Sequence, residues 1–290
     1  MYFFVDPPHV LKTVRNCVAN SHAHRKTRDM WKDGKAISWQ AIESLYQICL
    51  ENLYTTIKLT KAHIKLTSFS CMKVIYAAQV FSQSVYDALI VHKEELKERG
   101  HDIEELAELV RLMNRWFDCY NAHADEFGKR NKEIDDLKPY STADDPRFKF
   151  LKEEFLGFLD SWEKSVKARP GHFKNETRER MMISQQSLES LRINVYSLQD
   201  VVAFMLGKGA TSVDSRKFSQ DKLEQYFGLL RMSGGSSSNP DLKTVLQKGV
   251  SLHAQGSAAV AKRKGNTQAE RGSIQVDQSP LPMAPKRKKK

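Results

Sequence analysis

The sequence predicts a mainly α fold, with one short strand at its start and a disordered tail at its end. Apolar residues recur at helical spacing through most of the 290 residues. Four apolar residues, Tyr2–Val5, run into Asp6 and two prolines, which is typical of the end of a buried strand. From Gly249 onward the sequence is rich in Gly, Ser, Ala, Gln and Lys and has few large apolar side chains, which predicts disorder.

The first half of the helical region contains three predicted helices. Ser38 is a suitable N-cap for a helix whose apolar face includes Trp39 and Ile42. A second helix is predicted at about Ser70–His92. A third is expected to begin at Asp102, because Glu105 three residues later completes a capping-box pattern.

The second half begins with a predicted loop, Lys138–Asp145. Asp145-Pro146 then predicts a helix start, with Asp as the cap and Pro in the first turn. Pro170-Gly171 predicts the end of this helix. A further helix is expected around Leu188–Val202, and the last one near Ser219.

Composition limits the function classes. The chain is 40% hydrophobic and has no run of about 18 apolar residues, so we expect no membrane span. Its net charge of +11 is concentrated in residues 241–290, where 11 Lys and Arg oppose 3 Asp and Glu, leaving a mixed surface elsewhere. The cysteines are too far apart for a CxxC zinc site or a disulfide framework: Cys17, Cys49, Cys71 and Cys119.

Two carboxylates stand out near the end of the helical region. Asp221 and Glu224 are three residues apart in SQDKLEQYFG, so a helix places both on one face. The ordinary interpretation is a helix start that favours acidic residues. The pair alone does not indicate a metal site.

Several motifs together resemble the P-element-like transposases, which include the THAP-type transposases. The closing stretch SQDKLEQYFG, with Arg231, Gly234-Gly235 and Asn239-Pro240 after it, resembles the C-terminal signature of that family. The opening DPPHVLKTVRN resembles its Asp-x-x-His-x-x-Lys motif. WKDGKAISWQAIESLYQ, LTKAHIKLTSFSCMKVIYAAQVFSQSV and LMNRWFDCYNA resemble its helical insertion, and the motifs occur in the order of the family.

This resemblance implies an RNase H-like α/β core that is interrupted by an all-helical GTP-binding insertion domain. It divides the chain into a partial core with the second catalytic strand, the insertion, a return to the core with the catalytic helix, and a disordered basic tail. The expected bounds are 1–30, 31–180, 181–245 and 246–290.

The resemblance also implies a catalytic site. Asp6 matches the second catalytic aspartate of the family, Glu224 the glutamate of the closing helix, and Asp221 an accompanying aspartate. Asp6 and Glu224 would be ligands of Mg²⁺, a hard cation that prefers carboxylate oxygens. In the family, two such ions act together on a phosphodiester of DNA.

The insertion implies a nucleotide site without a P-loop, and the sequence contains no GxxxxGK[ST] motif. Phe117-Asp118 resembles the aromatic-acid pair of the family at the guanine. Lys73 is expected near the phosphates, whereas Cys71 occupies a position where a basic residue is expected. The alternative is that Phe117 belongs to the core and that Asp118 and Lys73 are ordinary surface residues.

Other polar residues allow two interpretations each. His9 is expected to stabilise the turn after Asp6 or to contact a DNA phosphate. Lys12 and Arg15 lie one helical turn apart and would either contact DNA phosphates or form a solvated face. The basic clusters Ala261–Lys264 and Pro285–Lys290 resemble nuclear localisation signals. The expected partners are DNA, GTP and a further copy of the chain, with no membrane.

The sequence lacks a match to the first catalytic aspartate of the family and to the THAP zinc module. We therefore expect this chain alone to have no transposase activity. Metal-dependent nicking or strand transfer that is lost in Glu224→Ala would contradict this expectation. Three hypotheses stay open: an incomplete transposase, a domesticated non-enzymatic scaffold that binds nucleotide, DNA or protein, and a piece of a longer active nuclease.

Overall fold

The computed structural model describes residues 2–22, 27–52, 57–124, 134–233 and 241–255. The chain divides into two compact units, Met1–Ser219 and Gln220–Lys290, and each is described here by itself. The first unit contains the hydrophobic core and most of the helices. The mainly α prediction is confirmed.

The elements of the first unit are eleven named helices and a two-stranded antiparallel sheet among the described residues. In chain order these are α1 Pro7–Ala19, β1 Trp31–Lys32, β2 Lys35–Ala36, α2 Trp39–Glu51, α3 Lys61–Ile64, α4 Val74–Val80, α5 Gln83–Val91, α6 Lys93–Glu98, α7 Glu104–Tyr120, α8 Pro146–Lys149, α9 Leu156–Ala168, α10 Asn175–Glu179 and α11 Gln185–Gly207. Short 3₁₀ turns lie at Ser70–Met72, Asp135–Leu137 and Ser215–Phe218, and a π-helical segment, Phe150–Phe155, joins α8 to α9.

Helix α1 begins at the Asp-Pro-Pro sequence that follows the apolar start of the chain. The Asp6 carboxylate accepts a hydrogen bond from the backbone N–H of His9 at 3.0 Å, and the prolines occupy the first helical positions. Proline is favoured there because its fixed φ suits the helix and it has no N–H to leave unpaired. The helix packs against α4, α7 and α11, which places Asp6 at the edge of the core.

The predicted strand at Tyr2–Val5 is wrong, because the structure assigns these residues to no strand. A side chain takes the role of a strand neighbour instead. The Asn194 amide on α11 accepts from the Val5 N–H and donates to the Val5 carbonyl, both at 2.8 Å. Both backbone groups of Val5 are thereby satisfied without a sheet.

The predicted N-caps at Ser38 and Asp145 are confirmed. Ser38 accepts from the backbone N–H of Gln40 at 3.2 Å, and Asp145 accepts from that of Arg147 at 3.0 Å. The start predicted at Asp102 is displaced, since α7 begins at Glu104 with Ile103 as its N-cap residue; the Asp102 carboxylate still accepts from the Glu104 N–H at 3.3 Å.

The competing interaction at the start of α7 is an ion pair. The Glu105 carboxylate, which the capping box would have used, lies 2.9 Å from the Lys32 ammonium on β1. A partner from another element therefore takes the Glu105 side chain, whereas Asp102 keeps a local contact with the start of α7.

The predicted helix at Ser70–His92 is broken into a 3₁₀ turn, α4 and α5. The backbone leaves the helical region at Lys73, where ψ is 117°, and again at Ser82, where ψ is 156°. Val74–Val91 is the one described stretch whose length and composition would suit a membrane span, and it includes the second of these breaks. Its buried members, such as Val80 and Val85, join the hydrophobic core.

The second unit contains α12, Asp221–Ser233, and α13, Leu242–Gln255, which pack against each other. The disorder predicted from Gly249 is wrong up to Gln255, where α13 ends. A Cβ at Gly249 would lie 3.1 Å from the Tyr226 hydroxyl, so the glycine permits a close approach of the two helices. The predictions at Gly234-Gly235, Asn239-Pro240, Ala261–Lys264 and Pro285–Lys290 lie outside the described residues.

Candidate nucleotide site and predicted carboxylates

Asp118 lies near the C-terminal end of α7 with its carboxyl largely removed from solvent. Its one hydrogen bond among the described residues comes from the Asn114 amide at 3.3 Å, one turn earlier on the helix. Burial raises the pKa of Asp118 to about 7, and the negative charge of Asp136 adds to this effect. Near neutral pH the group can therefore exchange a proton, and it has few donors to stabilise its ionised form.

Asp136 reaches this position through the 3₁₀ turn that precedes α8. Its carboxylate accepts from the Arg115 guanidinium at 2.8 Å, and its backbone carbonyl accepts from the Arg147 guanidinium at 3.1 Å. Arg147 is buried and is held by two hydrogen bonds of 2.8 and 2.7 Å from its guanidinium to the Asp145 carboxylate. The cap of α8 thereby fixes the turn beside Asp118.

Phe117, the predicted neighbour of the base, belongs to the hydrophobic core and is 8% exposed. Its ring lies 6.4 Å from that of Trp116, which is fully buried. In this arrangement its contacts are with the core, as the ordinary interpretation expects. The stacking of Phe117 on a base stays a prediction.

Lys73 lies on a different element, at the N-terminal end of α4. Its ammonium group is 4.5 Å from the centre of the Phe69 ring and 5.1 Å from that of the Tyr76 ring, which are cation–π distances. The side chain is half-buried. The predicted contact of Lys73 with phosphates is not tested by these contacts.

The predicted catalytic carboxylates belong to different units. Asp6 in the first unit is 7% exposed, and its Oδ2 atom caps α1 and lies 3.3 Å from the His9 imidazole. The expected role of His9 in the turn is thus confirmed. Asp221 and Glu224 lie in the first turn of α12 in the second unit.

The described residues contain no group of three His, Cys, Asp or Glu side chains that could hold one metal ion. The metal roles of Asp6 and Glu224 stay predictions.

The DNA contact considered for Arg15 is wrong, because this side chain is fully buried in the first unit. Its guanidinium donates to the backbone carbonyl of Cys71 at 2.9 Å. Helical spacing alone could not distinguish this inward position from a solvated face, since the neighbouring Cys71 lies 56 residues away in sequence.

Comparisons with known proteins agree with this architecture. A family model described as the TNP-like GTP-binding insertion domain matches residues 8–133, and one described as the TNP-like RNase H C-terminal domain matches residues 216–244. The transposable element P transposase of Drosophila melanogaster is 25% identical over an alignment of 251 residues that covers 83% of this chain. Two regions of the chain therefore match TNP-like domain families, and most of the chain is similar to the Drosophila transposase.

The fold of the chain is also similar to that of a solved structure. The Drosophila P element transposase strand transfer complex matches 83% of the chain, with a TM-score of 0.57 and 21% identity. The chain spans 28% of the length of the Drosophila transposase sequence and 49% of the chain in the solved complex. The match to the solved complex shows the fold alone.

Sequence reasoning missed two residues around Asp118. Asn114 could have been found, because it lies four residues before Asp118 on one predicted helix. Asp136 could not have been found, since it follows Asp118 by 18 residues. It lies in a 3₁₀ turn whose backbone is held by the Arg147 guanidinium. Tertiary contacts, and no local pattern, decide its position.

Proposed function

We propose that the insertion domain of this chain binds GTP, with the Asp118 carboxylate as the group that recognises guanine. The match of residues 8–133 to the GTP-binding insertion domain supports the ligand. The observation that carries the proposal is the half-buried Asp118 carboxyl, whose pKa is raised to about 7 and whose one described donor is the Asn114 amide.

Guanine has the donors that this carboxylate needs. Its N1–H and N2–H₂ groups point in the same direction and can donate to the two oxygens of one carboxylate. Charged hydrogen bonds of this kind are about twice as strong as neutral ones. Adenine presents an acceptor at N1, so the same carboxylate would repel it.

The test replaces Asp118 by asparagine, which keeps the shape and changes one oxygen into a donor. We expect Asp118→Asn to lose affinity for GTP by on the order of 100-fold, because a charge-assisted pair is removed and N2–H₂ meets an NH₂ group. Xanthine has a carbonyl at C2 and should pair with the new amide. The variant should therefore bind xanthosine triphosphate more tightly than GTP, measured by titration calorimetry.

The matched control is Asp87→Asn on α5, an exposed aspartate that contacts Gln83. It should bind GTP as the unchanged chain does. Equal affinities of Asp118→Asn and the unchanged chain for GTP would refute the role of Asp118. Failure of the unchanged chain to bind GTP, while it melts cooperatively, would refute the proposed function itself.

We propose as a second function that the chain forms part of a THAP-type DNA transposase, in which Asp6, Asp221 and Glu224 serve DNA cleavage with Mg²⁺. The match of residues 216–244 to the RNase H C-terminal domain supports this proposal. The alternative is a non-enzymatic scaffold. Binding of labelled duplex DNA by the full chain, followed by anisotropy at several salt concentrations, tests the DNA contact. A lack of saturable binding at low salt would contradict it.

A further inference from the structure

Three large apolar side chains are exposed on the turn and helix that follow α3. Phe69, Met72 and Ile75 occupy every third position of this stretch and are 69%, 59% and 61% exposed. Single exposed apolar residues are ordinary, but a group of them in one place is typical of an interaction surface. We call these three residues the 69–75 patch.

The turn beneath the 69–75 patch is fixed by hydrogen bonds. The buried Arg15 guanidinium donates to the Cys71 carbonyl at 2.9 Å, and the Asn16 amide donates to the same carbonyl at 3.3 Å. Within the turn, the backbone N–H of Thr67 donates to the Ser70 hydroxyl at 2.7 Å. The apolar side chains are therefore displayed on a formed backbone, which limits the entropy lost when a partner binds.

The patch also carries a positive charge that no carboxylate neutralises. The Lys73 ammonium group lies 4.5 Å from the centre of the Phe69 ring and 5.1 Å from that of the Tyr76 ring. These cation–π contacts orient the side chain and leave its charge in place. Lys93 differs, because it forms an ion pair with Glu104. Lys73 has no ion pair within the part of the chain that the structure describes.

Helix α3 brings further positive charge to the side of α4. The His63 ring lies 4.4 Å from the Tyr76 ring, and its Nε2 atom is 2.7 Å from the side-chain oxygen of Gln79 on α4. These contacts hold α3 beside the patch. Lys61, at the start of α3, and Lys65, just after its end, are both exposed.

Charge and apolarity together define the chemistry of the partner. Residues 52–86 contain four lysines and no Asp or Glu, so the region favours an acidic partner. Nucleic acid suits it less well, because Met72 and Ile75 have no ring on which a base could stack and interfaces with DNA are polar. Aromatic and methionine side chains are instead enriched at interfaces between proteins.

From these features we propose that the 69–75 patch binds an acidic amphipathic helix of a partner protein. The apolar side of that helix would cover Phe69, Met72 and Ile75, and its Asp and Glu side chains would pair with the surrounding lysines. The surface does not depend on the proposed nucleotide function. Because Lys73 is also predicted to lie near phosphates, the experiment uses the full chain without nucleotide.

The probe is a labelled helical peptide of about 18 residues, with Leu and Phe on one face and Glu on the other. Its binding to the full chain is followed by fluorescence anisotropy. One control peptide has Lys in place of every Glu, and a second has Ser in place of every Leu and Phe. We expect saturable binding of the first peptide alone, and weaker binding of it at about 1 M salt.

Variants of the chain locate the binding. Ile75→Glu should weaken the affinity for the acidic peptide at least about tenfold, because it places a charge of the same sign as the peptide in an apolar contact. Phe69→Ala should weaken it by a similar factor. The matched control is Val91→Glu on α5, since Val91 is 76% exposed and lies outside the patch. It should bind the peptide as the unchanged chain does.

Thermal melting establishes that each variant is folded. The proposal would be overturned if the folded, unchanged chain failed to bind the acidic peptide, if either control peptide bound equally well, or if Ile75→Glu kept the full affinity. Duplex DNA and phosphatidylserine vesicles are tested in parallel. If either bound more tightly than the peptide and lost this affinity in Ile75→Glu, a protein helix would be the wrong partner.

Discussion

Asp118 shows at the scale of a single residue how surroundings change the chemistry of a carboxyl group. A carboxylate that pairs with guanine must be ionised, but burial and Asp136 hold the pKa of the unbound Asp118 at about 7. Binding of guanine should therefore lower this pKa and release a proton. Below neutral pH, a proton and GTP therefore compete for the Asp118 carboxylate.

From this linkage we predict that GTP affinity falls as the pH decreases below 7. One pH unit below the unbound pKa should cost about tenfold in affinity, whereas above pH 8 the affinity should level off. Titrations between pH 5 and 8.5 measure this dependence, after correction for protonation of the nucleotide itself. Asp118→Asn with xanthosine triphosphate serves as the control, because its amide does not titrate and the slope should be lost.

The sequence predicted Asp118 as a site residue, but it could not predict the state of its carboxyl. That state depends on Asp136 and on the burial of the end of α7, which are results of packing. Arg15 is a second residue whose surroundings could not be predicted from the sequence. A residue expected on a solvated or DNA-contacting face is fully buried, because its partner carbonyls belong to a distant turn.

At the scale of elements, helix starts that depend on local chemistry were predictable. Ser38 and Asp145 cap their helices through N–H groups two residues away, so the signal lies within a few positions. The helix breaks at Lys73 and Ser82 could not be predicted, because the apolar pattern of the sequence continues through both positions. The start of α7 was misplaced by two residues, and Glu105, the expected partner of Asp102, forms an ion pair with the distant Lys32 instead.

The cap of α8 gives a prediction about stability. Asp145 accepts from the backbone and the guanidinium of Arg147, and Arg147 is 5% exposed with its guanidinium 3.6 Å from the centre of the Tyr140 ring. Asp145→Ala would leave a buried arginine without its carboxylate. We expect the free energy of unfolding to fall by about 3 kcal/mol in urea titrations.

The adjacent Asp144 is exposed and provides the control, since Asp144→Ala should change the free energy of unfolding by less than about 0.5 kcal/mol. Arg147 lowers the pKa of Asp145 despite its burial. The contribution of Asp145 is therefore present above its unfolded pKa and should be lost as the pH falls through the folded value. Equal stabilities of the two variants would contradict the role of the cap.

At the scale of the whole molecule, the ordered motifs predicted the family and the two domain types, although no single motif was decisive. The strand at the start was wrong, and so was the disorder from Gly249 as far as Gln255. Asn194 and the contact of α12 with α13 provide tertiary partners that the sequence does not display. The position of Asp6 relative to Glu224 stays a prediction.

The basic clusters of the tail lead to a prediction for the whole chain in cells. We propose that Pro285–Lys290 directs the chain to the nucleus. A fluorescent fusion of the full chain should accumulate in nuclei, and deletion of residues 285–290 should spread it through the cell. Replacement of Lys262 and Lys264 by glutamine tests the contribution of the second cluster. Unchanged nuclear accumulation after both changes would contradict the proposal.

The two hydrogen bonds between the Asn194 side chain and the Val5 backbone join residues that are 189 positions apart. Closing a loop of this length costs chain entropy before any contact offsets it, so such contacts form late in folding. A ribosome that has just made α1 has not yet made the side chain that will hold the residue before it. Val5, although it is synthesised well before α11, should therefore be among the last residues to become fixed.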